Sequence, residues 1–248
     1  DGNWFCRGQS QHYEDLLPSI DRGYSKFQTR RGKLTFESKS ISRFRLYAKS
    51  FTEGEEASKH NDIIALMVLQ HYGVPTRLLD WSISPKVAAF FAVLKDHYAD
   101  DEKDGEIWTF NRTLYEELGA EQWKKHPETT TDRSGDRDKI DLTFPTAFTI
   151  NESEPWIVCS KYIDGFPRDS AQKSWYTMTS CFGKDHGEMI KDLLNDLSKI
   201  HVYIIKAELK QKIRNLLKDV YKIDRGSLFP DSAGAAKTVL KEVFFQDI

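Results

Sequence analysis

The chain has 248 residues, a formal net charge of −2 and 39% apolar residues, which is enough for a substantial core beneath a well-solvated surface. A charge so close to neutral excludes a global basic field for nucleic acid, although 36 lysines and arginines allow a local basic groove. No run of about 18 apolar residues and no signal-peptide pattern occurs, so we expect neither a membrane-spanning segment nor secretion.

The first hundred residues are predicted to contain two strands and three helices. Aromatic residues near the N-terminus indicate a short strand, and apolar residues near a 3.6-residue period predict helices. Gly73 and Pro75 end the second helix, while Ser84 and Pro85 are typical of the start of a third. The expected elements are a strand at 3–7, helices at 35–51 and 55–72, a strand at 76–81 and a buried helix at 85–98.

The rest of the chain is predicted to contain three strands, at 106–110, 155–162 and 201–205, and two helices, at 206–220 and 233–243. Residues 119–140 are so highly charged that we expect a mobile surface loop there. There is no internal repeat and no convincing linker, so the chain is predicted to form a single domain over residues 1–248.

Arg7 is the first candidate for chemistry. It ends an aromatic strand and is followed by Gly8 and Gln9, so its guanidinium can enter a cleft while the glycine allows a close approach. A planar fork of five donors suits a phosphate or diphosphate group. A structural arginine that pairs with a nearby carboxylate would explain the same pattern equally well.

The second candidate is a dense polar run from His71 to Ser82, which holds nearly every functional side-chain type within twelve positions. It lies between two apolar helices, where a rigid frame can position reactive groups. We expect Arg7 and this run to converge on one ligand. Alternatively, Arg77 and Asp80 pair with each other, and His71 only interacts favourably with the C-terminal dipole of its helix.

Two later segments are weaker candidates. In residues 168–176 the amide of Gln172 could bind another amide or a base edge, although a polar loop or edge strand is the simpler interpretation. In residues 228–231 the carboxylate of Asp231 could belong to a site, or it could cap the following helix.

Several common motifs are missing from the sequence. There is no GxGxxG, GxxxxGK[ST], GxSxG, HxxxH or paired CxxC pattern, so dinucleotide-fold, P-loop, α/β-hydrolase and zinc enzymes have no support, and we predict no metal site. The three scattered cysteines favour free thiols and a reducing, cytoplasmic location; they are Cys6, Cys159 and Cys181.

These segments together resemble the FRG-domain family, which is named for an FxRG motif. Phe5-Cys6-Arg7-Gly8-Gln9 resembles that motif, and Gln70 to Ser82 followed by Ala88-Ala89-Phe90-Phe91-Ala92 resembles the most diagnostic stretch of the family. Arg168 with Gln172 resembles a third block, and Leu228-Phe229-Pro230-Asp231 with Gly234 a fourth.

The order of the blocks also resembles that of ADP-ribosyltransferases, in which an arginine at the end of the first strand holds NAD. This resemblance implies an α+β fold, with a small mixed or antiparallel sheet flanked by several helices. It implies NAD as a substrate and, as catalytic candidates, His71 and a carboxylate that stabilises positive charge on the ribose, either Asp80 or Asp231. The implied NAD-binding residues are Arg7, Gly8, Gln9, Tyr72, Thr76, Arg77, Trp81, Ser82 and Gln172.

Three functions therefore compete. The first is an NAD-consuming ADP-ribosyltransferase acting as a toxin or antiviral effector on RNA, DNA or protein, with nucleic acid slightly favoured because Tyr72, Trp81 and Tyr176 could stack on a base. The second is a nucleotide- or nucleic-acid-binding module without NAD chemistry. The third is a non-enzymatic interaction domain of a defence or toxin–antitoxin complex, in which an antitoxin or another defence protein is the partner.

Overall fold

The computed structural model describes residues 3–22, 29–48, 59, 61–95, 102–125, 155–161 and 166–231. The strands are β1 (Trp4–Gln9), β2 (Leu78–Ser82), β3 (Gly105–Asn111), β4 (Ile157–Ser160), β5 (Ser174–Thr179) and β6 (Ile200–Ile205). The α-helices are α1 (Arg30–Tyr47), α2 (Asp62–His71), α3 (Pro85–Ala92), α4 (Arg112–Lys125), α5 (Pro167–Gln172), α6 (His186–Leu194), α7 (Ala207–Asp219) and α8 (Arg225–Leu228).

The six strands found in the described residues form one sheet in the order β4-β5-β2-β1-β3-β6, with every neighbouring pair antiparallel. The predicted α+β class is therefore confirmed, and the sheet combines strands from both halves of the chain. The assignment of residues 1–248 to one domain stays a prediction. Within the described ranges, no helix is long and apolar enough to cross a bilayer.

Side-chain alternation along β2 divides the core between the two faces of the sheet. Leu78 packs into a cluster with α1 and α2, whereas Leu79 and Trp81 pack into a second cluster beneath α4 and α6. This separation follows from the two-residue period of a strand, which sends successive side chains to opposite faces. A third cluster joins α3 to Leu217 and Leu228.

Local capping explains where the first helices begin. The side chain of Thr29 accepts a hydrogen bond from the Gly32 amide, so α1 begins at Arg30 and not at the predicted residue 35. Asn61 likewise caps α2 by accepting from two amides of its first turn, which places the start at Asp62 and not at residue 55. The α3 helix ends at Ala92, earlier than predicted.

Beyond residue 100, two predictions differ from the structure and two predicted segments lie outside it. The predicted loop at 119–140 is wrong over residues 119–125, which belong to α4, because Tyr115 and neighbouring apolar residues pack this helix onto the sheet. Residues 168–176 are neither a loop nor an edge strand, since α5 is followed by β5 between β4 and β2. Residues 126–140 and the helix predicted at 233–243 lie outside the described part of the chain.

The sheet opens between its two central strands. β1 and β2 are joined at a single pair, Cys6 opposite Ser82, whereas β1 pairs with β3 from Trp4 to Gln9 and β2 pairs with β5 along its whole length. The two strands therefore separate beyond this pair, and the opening lies beside Arg7 and Asp80.

Gly8 is required by the packing of α3 on β1. A Cβ atom at this position would lie 1.8 Å from the carbonyl oxygen of Ala88 and 2.7 Å from the amide nitrogen of Ala92. We expect Gly8→Ala to lower the free energy of unfolding by about 1–3 kcal/mol, measured by urea denaturation. Gly119→Ala is the control, because its Cβ would meet only a ring atom of Tyr115 at 4.0 Å and α-helices favour alanine. Equal effects of the two substitutions would contradict this account.

Candidate functional site

A cavity of about 260 Å³ lies at the opening between β1 and β2, beneath the helices on one face of the sheet. The structure brings Arg7 and the polar run after α2 to this one cavity, as expected from the sequence. The lining residues come from β1, the end of α2, β2, α3, α5, the start of β5 and the segment after α8; they are Cys6, Arg7, Gly8, Gln70, His71, Asp80, Trp81, Ser82, Val87, Ala88, Phe91, Arg168, Gln172, Ser174 and Phe229.

The Arg7 guanidinium is held by two contacts within the site. Its Nε donates to Oε1 of Gln9 at 3.2 Å, and its Nη1 donates to the backbone oxygen of Asp80 at 2.8 Å. Among the described residues none accepts a hydrogen bond from Nη2, so this nitrogen is available to a ligand. Burial lowers the pKa of Arg7 to about 10, with the nearby Asp80 carboxylate opposing the shift, and the group stays charged at neutral pH.

Asp80 carries the most accessible carboxylate at the cavity, with a side chain that is 57% exposed. Its Oδ1 accepts a hydrogen bond from the amide of Gln70 at 2.7 Å, and its Oδ2 lies 4.0 Å from Nη1 of Arg7. The predicted alternative, an ion pair between Arg77 and Asp80, is wrong, because Arg77 pairs with Glu37 whereas Asp80 contacts Gln70 and Arg7.

Asp231 is engaged by an arginine and does not line the cavity. Nε and Nη2 of Arg168 donate to its two carboxylate oxygens at 2.7 and 2.8 Å, and Nη1 donates to the backbone oxygen of His71 at 2.8 Å. This arrangement fastens the segment after α8 to the end of α2. The prediction that Asp231 is the charge-stabilising carboxylate is not supported by this geometry, since both of its oxygens are already paired.

His71 lines the cavity, but its ring is held from within the protein. Nε2 lies 3.1 Å from Oδ1 of Asp169 and 3.0 Å from the hydroxyl of Tyr176, and the ring packs against Phe166 at a centroid distance of 4.6 Å. Burial raises the pKa of Tyr176 well above its usual value, so its hydroxyl stays protonated and donates to Asp169. The histidine is therefore fixed in orientation.

Ser82 and Gln172 line the cavity and connect its walls. The Ser82 hydroxyl donates to the backbone oxygen of Gln172 at 2.7 Å, and the Gln172 amide donates to the backbone oxygen of Leu228 at 3.0 Å. These bonds join β2 to α5 and α5 to the end of α8.

Four other residues predicted to bind NAD do not line the cavity: Gln9, Tyr72, Thr76 and Arg77. Gln9 accepts a hydrogen bond from Arg7, and its own amide donates to Glu106 at 2.7 Å. Tyr72 is 55% exposed on the surface, and the buried Thr76 hydroxyl donates to Gln70. Arg77 is fully buried against Glu37. For these residues the structure indicates structural or surface roles.

Gly8 and Trp81 do line the cavity, but in a different manner from that predicted. Gly8 leaves space for α3, as described above, and the indole of Trp81 is buried with Nε1 donating to the hydroxyl of Thr177 at 2.8 Å.

The sequence interpretation missed the roles of Gln70, Asp169 and Phe229. Gln70 could have been found, because it directly precedes His71 in the stretch that resembles the FRG-domain family. Asp169 contacts His71 only in the folded chain.

A buried histidine beneath the site is a source of pH dependence. His186 has no exposed surface, and its Nδ1 forms a hydrogen bond with the hydroxyl of Thr177 at 2.8 Å. Burial, reinforced by the charge of Arg7, lowers the pKa of His186 from 6.5 to about 3. Between these two values the unfolded chain binds more protons than the folded one, so folding stability falls as the pH falls from 6.5 towards 3.

We therefore expect His186 to contribute up to about 1.4 kcal/mol of lost stability per pH unit within that window, and nothing above it. His186→Gln removes the titrating group, so its free energy of unfolding should fall less steeply between pH 6.5 and 4. Urea denaturation of both proteins at several pH values measures the difference. Parallel curves would show that His186 does not titrate as its burial requires.

Metal ligation has no support from the described side chains, because no three His, Cys, Asp or Glu residues come together in a suitable cluster. Cys6, Cys159 and Cys181 are free thiols. Burial raises the pKa of Cys6 to about 11, so the one cysteine at the cavity is held as an unreactive thiol at neutral pH.

Comparison with known proteins gives one finding. The model of the FRG domain matches residues 2–101, a range that contains β1, α1, α2, β2 and α3. No curated protein and no solved structure matches the chain. The matched range supplies Arg7, Gln70, His71, Asp80 and Ser82 to the cavity, while Arg168, Gln172, Ser174 and Phe229 come from outside it.

Proposed function

We propose that residues 2–101, which match the FRG-domain model, form one wall of an NAD-binding cleft. We propose further that the protein transfers ADP-ribose from NAD to a macromolecule. One observation carries the proposal: a fixed guanidinium with a ligand-accessible edge and an exposed carboxylate lie side by side in the opening of an antiparallel sheet. Arg7 Nη1 and Asp80 Oδ2 are 4.0 Å apart there. The guanidinium suits the negatively charged diphosphate of NAD, and the carboxylate suits the positive charge that develops on the ribose.

Arg7 is suited to hold the negative part of the substrate. The bonds from Nε and Nη1 fix its plane, and among the described residues none accepts a hydrogen bond from Nη2. A charged donor of fixed orientation binds a phosphate oxygen strongly, and partial burial strengthens the interaction. Arg7 would therefore bind the diphosphate of NAD.

Asp80 is suited to stabilise the positive charge. In the proposed reaction the bond between ribose C1′ and the nicotinamide nitrogen breaks, and its electron pair leaves with nicotinamide. A nucleophilic atom of the acceptor then forms the new bond to C1′ and releases its proton to solvent. A carboxylate beside the ribose lowers the barrier because positive charge develops there in the transition state.

The volume and the lining residues of the cavity suit one end of an NAD molecule. Its volume of about 260 Å³ lies just below the usual range for complete small-molecule sites, so it supports binding of the nicotinamide and its ribose, with the remainder outside. Phe91 and Phe229 supply aromatic surface, while Ser82 and Gln172 supply polar groups. His71 would position the substrate through the face of its fixed ring.

The resemblance to the FRG-domain family and to ADP-ribosyltransferases supports a role as a toxin or effector. We propose that the protein acts in the cytoplasm as a toxin or antiviral effector, held in check by a partner such as an antitoxin. The alternative function is nucleotide binding without NAD chemistry, for which the same cleft would serve.

The experiment that tests the proposal incubates the protein with NAD labelled in the adenylate part, with and without bacterial extract. We expect nicotinamide release, transfer of the label to a macromolecule and a rise in Tm on addition of NAD. A folded protein that releases no nicotinamide, transfers no label and shows no change in Tm would reject the proposal. An increase in Tm with other nucleotides alone would favour the alternative.

A further inference from the structure

The α1 helix has a strongly basic composition within a chain whose net charge is −2. Its eighteen residues contain one acid, Glu37, which is buried and paired with Arg77. Six basic residues share the helix; they are Arg30, Arg31, Lys33, Lys39, Arg43 and Arg45. The helix therefore concentrates positive charge and exposes no carboxylate.

Three of these cations have no carboxylate partner among the described residues. Lys33 pairs with Asp21 and Arg45 with Asp62, but Arg31, Lys39 and Arg43 are exposed and form no ion pair with any residue that the structure describes. The only polar contact of Arg43 within the described chain is a hydrogen bond to the hydroxyl of Tyr47 on the same helix.

The three unpaired cations line one groove. They follow one another at i, i+8 and i+12, so they lie along the same side of α1 over a length of about 18 Å. The groove is open, has a volume of about 630 Å³ and is lined by Thr29, Arg31, Gly32, Thr35, Phe36, Lys39, Ser40 and Arg43. Hydroxyl groups therefore alternate with positive charges, which is a suitable surface for a chain of phosphates.

The packing of α1 on α2 relates one end of the groove to the cleft. Nη1 of Arg45 and Oδ1 of Asp62 are 2.8 Å apart, which joins the end of α1 to the start of α2. The two packed helices therefore run antiparallel, and the Arg31 end of α1 lies towards the end of α2. That end of α2 supplies Gln70 and His71 to the cleft.

We propose that the α1 groove binds the sugar–phosphate backbone of a nucleic acid, and that nucleic acid is the acceptor of ADP-ribose. The second part rests on the proposed transferase function, whereas the first does not. Charge complementarity selects this partner, because a polyanion matches a row of exposed cations on a protein without an overall positive charge.

The test measures binding of fluorescein-labelled 20-nucleotide single-stranded RNA and DNA by anisotropy at several salt concentrations. The variant Arg31→Gln/Lys39→Gln/Arg43→Gln removes the three cations. We expect its slope of log K against log salt to be shallower by about 2 for single strands, since each phosphate contact contributes about 0.7. The control variant Lys212→Gln/Lys218→Gln/Lys222→Gln removes three exposed lysines on and after α7, and should retain the wild-type slope.

Three outcomes would overturn the inference: wild-type affinity and slope in the α1 variant, an equal loss in the control variant, or no measurable binding by the wild-type protein. The acceptor is tested separately by treating the labelled extract with nuclease or protease. Label that resists nuclease and is lost with protease would overturn the choice of acceptor. Nicotinamide release without any acceptor should be unchanged in the α1 variant, so failure of the proposed function and failure of the groove are distinguishable.

Discussion

Asp80→Asn is expected to lower the rate of nicotinamide release from NAD by about 10²–10³-fold, with little change in the affinity for NAD. Asparagine keeps a carbonyl oxygen that can accept the hydrogen bond from Gln70, so the shape of the site is preserved. It lacks the negative charge that would stabilise the ribose in the transition state. Release of nicotinamide under saturating NAD measures the effect, and the shift in Tm with NAD measures binding.

Two controls make this result specific. Asp219→Asn removes an exposed carboxylate at the end of α7 and should leave the rate unchanged. Asp231→Asn breaks the pair with Arg168, so it should lower the Tm more than Asp80→Asn does. An Asp80→Asn protein that releases nicotinamide at the wild-type rate would remove this residue from the mechanism.

Glu37→Gln is expected to lower the free energy of unfolding by about 3–5 kcal/mol, because it leaves a buried guanidinium without its counter-charge. The side chains of Arg77 and Glu37 are 1% and 0% exposed. Nε and Nη2 of Arg77 donate to Oε2 of Glu37 at 2.9 and 2.7 Å, and the Arg77 amide donates to Oε1 at 3.0 Å. Burial lowers the pKa of Arg77, and the Glu37 carboxylate counteracts that shift.

Urea denaturation at neutral pH measures this loss, and an exposed pair supplies the comparison. Arg112 and Glu116 form an ion pair on α4 at 2.8 Å, with a glutamate side chain that is 39% exposed. Glu116→Gln should cost less than about 0.5 kcal/mol, because solvent screens both charges. Losses of similar size in the two variants would show that the interior pair has no special role in stability.

The difference between Arg7 and Arg77 shows how far the sequence could predict the site. Both are arginines within distinctive motifs, and both were candidates for binding NAD. Arg7 lines the cavity with a free edge, whereas Arg77 is used to join β2 to α1 through Glu37. The partner of Arg77 is forty positions away, and no spacing rule connects two residues that far apart.

The same distinction applies to the carboxylates. Asp80 and Asp231 were equivalent candidates in the sequence, because each follows an apolar stretch beside functional residue types. In the folded chain Arg168 occupies both oxygens of Asp231, while Asp80 projects from the opening between β1 and β2. Asp169, which orients His71, was not a candidate at all.

The amino-acid sequence by itself determined the α+β class, most of the strands and helices of the first hundred residues, and the two segments that meet at the cavity. The class follows from the family resemblance, whereas the elements and the two segments follow from local rules: apolar periodicity, capping residues and clusters of polar side chains. Only the tertiary structure decided that the sheet opens beside Arg7, that Asp80 is the accessible carboxylate and that Arg77 is structural. Each of these depends on which distant groups become neighbours, and hydrogen bonds between distant groups form only when the chain has folded.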